Sequence, residues 1–200
     1  HKIANQFSAA YEDLRTKLLD ACQLYIDETG WRVDGINHWL WSFSNQYLSY
    51  YHIDRSRGSK VVEETLGSVF RGVISTDFYS AYNKIDSDKQ KCWAHLLREL
   101  KELEKEKPKN LEIKNYLIMA KSFLKRGKIL QEDYQKGVDI EKRLRRLQND
   151  TLRLIFQKFR NKDLKRLCKR LIKYREELYT FIKTGIDPTN NFAEREVRPP

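Results

Sequence analysis

Three acidic residues, Asp27, Asp77 and Glu194, have the type and the placement that metal-dependent chemistry requires. Asp27 follows the apolar run 22–26 and Asp77 follows the β-branched run 73–76, so each is predicted to stand at the end of a buried strand. Ligands of open α/β sheets bind in the crevice beyond the strand ends. If the two strands are neighbours, their carboxylates lie side by side, and a helix that crosses the strand ends brings in Glu194.

The donor atoms define the chemistry of such a site. Carboxylate oxygens grouped in this way suit Mg²⁺ or Mn²⁺ and not zinc. Two such ions about 3.5–4 Å apart activate the attacking oxygen and stabilise the leaving oxygen of an in-line phosphoryl displacement. Structural roles stay open, because Asp77 is equally well placed to cap a following helix, and Asn191 and Glu194 have the spacing of a capping box.

Hydrophobic periodicity and turn residues predict a mixed α/β arrangement for the first half of the chain. Asp34-Gly35 is typical of a tight hairpin turn, and the alternation of Trp39 and Trp41 with smaller residues indicates a strand whose rings face the core. The predicted order is a helix over residues 6–20, strands over 22–26, 36–43 and 47–53, a crossover helix over 60–66, a strand ending at Asp77 and a short strand over 89–92.

The second half of the chain has a helical pattern, with leucines three and four residues apart and no strand signal between Trp93 and Lys183. Residues 96–183 hold 26 basic and 13 acidic side chains, a net charge of +13, and the remaining residues have a net charge of −2. Such a block favours a polyanion, most plausibly nucleic acid, although solvated lysine-rich helix faces have the same composition.

These patterns predict three segments. Residues 1–95 form the sheet with its N-terminal helix, residues 96–185 form a basic insertion of two to four helices, and residues 186–200 return as a C-terminal helix that carries Glu194.

The overall composition fits a folded globular chain, since 40% of the residues are hydrophobic and 12% are aromatic. No apolar run approaches the roughly 20 residues of a membrane span, so no membrane partner is predicted. Three widely spaced cysteines argue against a disulfide framework and for a reducing compartment. Cys92 and His95 stand three residues apart, but two local soft ligands do not make a structural zinc site.

Several short motifs follow one another along the chain: Asp27-Glu28-Thr29, Trp31-Arg32-Val33-Asp34-Gly35, Ser56-Arg57-Gly58, Asp77-Phe78-Tyr79-Ser80-Ala81-Tyr82, Cys92-Trp93-Ala94-His95-Leu96-Leu97-Arg98, Asn190-Asn191-Phe192-Ala193-Glu194-Arg195 and Arg198-Pro199. Taken in this order, they resemble the catalytic core of bacterial transposases of the insertion sequence sixty-six family. The similarity runs from about Leu24 to the end of the chain, and the helical insertion matches in position more than in motif.

The resemblance implies a ribonuclease H-like fold, in which a mixed five-stranded sheet carries a large helical insertion before the last helix. It implies a DDE active site in which Asp27, Asp77 and Glu194 are catalytic and bind Mg²⁺ or Mn²⁺. The implied reaction cleaves the strand at the transposon end, and the freed 3′-hydroxyl then attacks target DNA. The implied partners are double-stranded DNA and further copies of the chain on that DNA, in the bacterial cytoplasm at the nucleoid.

The same motifs suggest DNA-binding residues. Arg98, Arg195 and Arg198 are candidates for phosphate contacts, although Arg195 is equally suited to a structural ion pair with a carboxylate of the sheet. His95 is a candidate for the active-site region, and a buried, hydrogen-bonded core histidine is an equal alternative.

Two other functions remain compatible with the sequence. One is a DNA-binding or assembly module that descends from a transposase and has lost its chemistry. The other is a hydrolytic nuclease of the same fold, which cuts DNA without joining it.

Overall fold

The structure is a computed structural model that describes the backbone of residues 2–196 and the side chains of residues 7–196. The chain divides into two compact units. The core unit contains the described residues up to Lys89 and those from Asn190 onward, and the helical unit contains Gln90–Thr189.

The sheet has five strands in the order β3-β2-β1-β4-β5. The strands are β1 (Gln23–Val33), β2 (Ile36–Ser44), β3 (Ser49–Asp54), β4 (Val69–Thr76) and β5 (Asp86–Lys91). β1 pairs with β2 in an antiparallel and with β4 in a parallel arrangement, and β2 pairs antiparallel with β3. The sheet is therefore mixed, as predicted, and the fold class is α/β.

The first strand is longer than predicted, and Asp27 lies inside it. β1 continues to Val33 because it forms a long hairpin with β2 around Asp34 and Gly35, whose φ angles are +50° and +78°. Its parallel pairing with β4, however, covers only Gln23 to Tyr25. The prediction that the strand ends before Asp27 is wrong, because the antiparallel pairing with β2 continues beyond this residue. Asp27 does, however, lie beyond the parallel pairing with β4.

Three helices accompany the sheet in the core unit: α1 (Lys2–Leu19), α2 (Ser59–Leu66) and, after the helical unit described below, α8 (Asn191–Glu196). The predicted crossover helix is confirmed as α2, which ends at Gly67 with a φ of +81°. The predicted apolar face of α1 is only partly buried, since Leu18 is inaccessible whereas Phe7 is 64% exposed. α1 is instead fastened by the Tyr11 hydroxyl, which donates to the Tyr51 carbonyl oxygen at 2.8 Å.

Aromatic rings of β2 lie at the centre of the core unit. Trp41 and Phe43 are fully buried, and Trp39 packs against the same cluster while partly exposed. The prediction that these rings belong to the core is confirmed. Trp93 is also buried, inside the helical unit, where its indole N–H donates to the Leu178 carbonyl oxygen at 2.7 Å.

The helical unit contains four long helices and one short one. They are α3 (Trp93–Glu106), α4 (Leu111–Gln135), α5 (Glu141–Ile155), α6 (Lys162–Lys173) and α7 (Phe181–Thr184). No strand lies between Trp93 and Lys183, a stretch that the structure describes completely. α4 continues as far as Gln135, because buried positions such as Leu130 extend its apolar face. Within residues 2–196 no helix is long and apolar enough to cross a membrane.

Candidate active site

Asp27 and Asp77 occupy equivalent positions at the end of the parallel strand pair. The last Cα partners of β1 and β4 are Tyr25 and Ser75, and each aspartate stands two residues further along its strand direction. Because side chains of a strand alternate between its faces, residues two positions beyond a matched pair point to the same side. The predicted placement of both carboxylates beyond the parallel strand ends is therefore observed.

Backbone amide groups orient both aspartates. Asp27 Oδ1 accepts a hydrogen bond from the Glu28 N–H at 3.0 Å, and Asp77 Oδ1 accepts one from the Tyr79 N–H at 2.7 Å. The helical turn that follows begins only at Ser80, with Tyr79 as its capping position. Asp77 therefore forms a local turn just after β4 and is not the helix cap that the sequence left open.

Glu194 lies on the short helix α8, which is tied to the sheet by three side chains. The Asn190 amide donates to the Ile26 carbonyl oxygen at 2.8 Å, one residue before Asp27. The ring of Phe192 lies 5.7 Å from that of Tyr25. Farther along the helix, one carboxylate oxygen of Glu196 accepts from the hydroxyls of Ser49 and Tyr51, both at 2.8 Å.

The Asn191–Glu194 capping box is not the arrangement observed. α8 begins at Asn191 itself, so the residue in the capping position is Asn190. Asn191 is exposed, whereas Asn190 is fully buried and contacts β1. The C-terminal helix predicted within residues 186–200 is observed from Asn191 to Glu196, and residues 197–200 lie outside the described residues.

The charges of the neighbouring acidic side chains affect the pKa of Asp27. Burial, together with the charges of Glu28, Asp77 and Glu194, raises the pKa of Asp27 from 3.8 to about 7, against the hydrogen bond from the Glu28 N–H. Carboxylates that repel one another in a partly buried place favour a proton or a cation between them. A proton or a divalent cation at this cluster removes the repulsion.

Glu28 forms a network at this site that the sequence reasoning did not identify. Its side chain is 1% exposed, and one of its oxygens lies 2.9 Å from both Nε and an Nη of Arg57. The other oxygen accepts a hydrogen bond from the buried Tyr82 hydroxyl. Burial raises the pKa of Glu28, the hydrogen bonds from Tyr82 and Arg57 oppose that rise, and the charge of Asp77 adds to it.

Two aromatic rings hold the Arg57 guanidinium in place. Its central carbon lies 4.5 Å from the ring centroid of Trp39 and 4.4 Å from that of Tyr79, so the guanidinium is stacked between them. The Tyr79 hydroxyl also donates to the Arg57 carbonyl oxygen at 3.0 Å. One sequence signal pointed to this network: Glu28 continues the buried alternation of Leu24 and Ile26, a face that is otherwise apolar.

The donor set of Asp27, Asp77 and Glu194 fits hard divalent cations, because it offers carboxylate oxygens only. In the part of the chain that the structure describes, these three residues do not bring one oxygen each within 4.8 Å of the other two. A site in which all three carboxylates bind the same metal ion is therefore not preformed.

The other candidate residues are spread over both units. His95 is half-buried on the first turn of α3, and Arg98 is exposed on the same helix. Arg195 is exposed, and its guanidinium carbon lies 5.8 Å from the ring centroid of Phe192. Arg198 lies outside the described residues. A DNA-binding role for any of these residues stays a prediction.

A mixed sheet with acidic residues beyond its parallel strands and on an adjoining helix fits a protein that acts on phosphodiesters. Comparison with protein families assigns the chain more narrowly, because the model of the Transposase IS66 family matches residues 1–200. The chain belongs to this transposase family, as the sequence motifs had suggested. Comparisons with curated proteins and with solved structures found no match.

Proposed function

We propose that this chain is a DDE-type catalytic domain, which performs metal-dependent cleavage and strand transfer of double-stranded DNA. The observation that carries the proposal is the placement of Asp27 and Asp77 beyond the parallel pairing of β1 and β4, with Glu194 near enough for its charge, like that of Asp77, to help raise the pKa of Asp27 to about 7. Membership in a transposase family supplies the biological context of that chemistry.

The sheet supports a ribonuclease H-like assignment. Its central strand β1 lies between an antiparallel partner, β2, and a parallel partner, β4. The family resemblance implies a mixed five-stranded sheet with a helical insertion before the last helix; here the strand order is β3-β2-β1-β4-β5, and the chain returns to this unit through α8 after the helices of Gln90–Thr189. We further propose the three-segment organisation predicted from the sequence.

Asp27, Asp77 and Glu194 are the residues that would hold Mg²⁺ or Mn²⁺. Such ions, when bound, lower the pKa of an attacking water or hydroxyl and stabilise the leaving oxygen. The protein contributes the positions of its ligands: amide N–H groups of Glu28 and Tyr79 fix one oxygen of each aspartate, which leaves the second oxygen for the cation.

Glu28, Arg57 and Tyr82 support the site without binding the metal ions. The ion pair and the tyrosine hydroxyl hold Glu28 in the core, and its own N–H then stays directed at Asp27 Oδ1. Arg57 also offsets part of the negative charge, so the cluster is not left with a fourth unpaired carboxylate. We assign these residues a positioning role.

The proposed reaction has two phosphoryl transfers. Hydrolysis of a phosphodiester at the transposon end leaves a 3′-hydroxyl, and that hydroxyl then displaces the 3′ oxygen of a target phosphodiester. Both steps exchange one oxygen–phosphorus bond for another, so no covalent protein intermediate is needed. Two DNA ends must be joined to one target, which favours a homo-oligomer on DNA.

An assay of DNA products tests the proposal and separates it from its alternatives. Asp77→Asn keeps an oxygen that accepts from the Tyr79 N–H but removes the charge, so cleavage should vanish while DNA binding persists. Wild-type protein that binds DNA without cutting it in Mn²⁺ is a binding module. Products that are cut but never joined indicate a hydrolytic nuclease.

A further inference from the structure

The exposed side of α6 carries a row of five cations and nothing else. The row is Lys162, Lys165, Arg166, Lys169 and Lys173, all of which are exposed. At 3.6 residues per turn these positions fall within an arc of about 100° on one helix face. The opposite face holds four buried residues: Leu164, Leu167, Cys168 and Leu171.

Several arginines on the other helices of the helical unit are paired with acidic neighbours. Arg126 pairs with Asp150 at 2.8 Å, and Arg143 pairs with Asp133 at 2.7 Å. Within the row, by contrast, the described contacts contain a single ion pair, between Arg166 and Asp163 at 3.7 Å, and Asp163 also binds Lys107. The row therefore keeps most of its positive charge.

We propose that this row of α6, here called the cationic row, binds the phosphate backbone of double-stranded DNA without regard to sequence. The eleven steps from Lys162 to Lys173 rise by about 16 Å along the helix axis, the axial length of about five phosphates on one strand. The inference rests on the proposed function, because it takes DNA as the substrate.

The composition of the row favours DNA over an acidic protein partner. Protein interfaces usually contain aromatic or aliphatic residues at their centre, and none of the five positions is apolar. The apolar side of α6 is already buried within the helical unit, which also argues against a membrane surface. A row of flexible cations on a rigid helix matches a regular polyanion.

Salt-dependent binding of a short, labelled duplex of arbitrary sequence tests this proposal. The whole chain is titrated in EDTA, so that cleavage does not interfere. The triple variant Lys165→Gln/Lys169→Gln/Lys173→Gln should lower the slope of log K against log salt by about 0.9 for each lost phosphate contact, about 2.7 in total. Its affinity at low salt should fall roughly 10-fold to 100-fold.

Two matched variants serve as controls. Lys165→Arg/Lys169→Arg/Lys173→Arg keeps the charge and should bind as the wild type does. Lys121→Gln/Lys125→Gln/Lys128→Gln removes three exposed lysines of α4 and should leave most of the slope intact. Thermal unfolding should be unchanged in all three variants, since every substituted side chain is exposed.

Three results would overturn the proposal: an unchanged slope for the α6 variant, an equal loss for the α4 variant, or a loss of self-association with DNA binding intact. None of these would affect the active-site proposal, because cleavage by the same variants at high protein concentration is measured separately.

Discussion

Asp27 in β1 and Asp77 just after β4 stand at matched positions along two neighbouring parallel strands, each two residues beyond the Tyr25–Ser75 pair. This register explains how one acidic residue in the middle of a long hairpin and another just after a strand end come to the same edge of the parallel strand pair. A shift of one residue in either strand would turn one carboxylate to the opposite face of the sheet.

Asp27 should make the metal-free protein less stable as the pH rises. Its pKa is about 3.8 in the unfolded chain and about 7 in the folded protein, so the folded state binds the proton more tightly. The stabilisation is complete below pH 4 and is lost as the pH rises through 7. Asp27→Asn should therefore be more stable than the wild type at pH 8 by about 1–4 kcal/mol. Thermal unfolding in EDTA between pH 5 and 8 measures the difference.

Metal should reverse that trend. A divalent cation competes with the proton on Asp27, so Mn²⁺ should raise the melting temperature of the wild type more at pH 8 than at pH 6. Asp27→Asn should lose most of this shift. An equal shift in both proteins at both pH values would place the metal elsewhere.

Removal of Arg57 alone should lower the free energy of unfolding more than removal of Arg57 together with the charge of Glu28. Arg57→Ala leaves the buried carboxylate of Glu28 without its cation and should destabilise the protein by about 1–3 kcal/mol, because Arg57 is itself partly exposed. Adding Glu28→Gln to that variant should recover part of the loss. Denaturant unfolding measures the cycle, and strictly additive effects would contradict the coupling. Neither variant should recover full DNA cleavage if the network positions Asp27.

Asn190 and Asn191 form a matched pair for testing the attachment of α8. Asn190→Ala removes the hydrogen bond to the Ile26 carbonyl oxygen and should cost about 1–2 kcal/mol of stability together with a large part of the cleavage activity. Asn191→Ala alters an exposed side chain and should change both properties little. Equal activities of the two variants would show that Glu194 does not depend on this contact.

Gly72 should not tolerate a side chain. A Cβ atom at this position would lie 2.6 Å from the Ala21 carbonyl oxygen and 2.7 Å from that of Cys22, where β4 passes the start of β1. Gly72→Ala should therefore lower the stability and disturb the register of β1 and β4. Gly30→Ala is the control, since a Cβ atom there meets nothing within 4 Å. Unfolding midpoints of the two variants compare them directly.

Local patterns predicted much of the core unit. The Asp34-Gly35 turn, the ring-bearing strand β2 and the helix that ends at Gly67 each have a short-range signal, and all are observed. The end of β1 was predicted too early, because an antiparallel partner extends the strand beyond its parallel one.

Contacts between residues that are far apart in the chain could not be predicted from the sequence. Glu28 meets Arg57 and Tyr82 across 29 and 54 residues, and no periodicity specifies such contacts. The sequence also does not reveal the role of Asn190. The neighbouring Asn191 has the spacing of a capping box with Glu194, so the prediction concerned Asn191 instead. The contact of Asn190 with Ile26 spans 164 residues and depends on the path of the whole chain.

The most direct measurement is anomalous scattering from crystals of the wild type and of Asp77→Asn grown with Mn²⁺. The proposal predicts manganese peaks in contact with Asp27, Asp77 and Glu194 in the wild type, with at least one peak lost or much weakened in the variant. Manganese bound away from these carboxylates, or identical peaks in both crystals, would contradict the assignment of the active site.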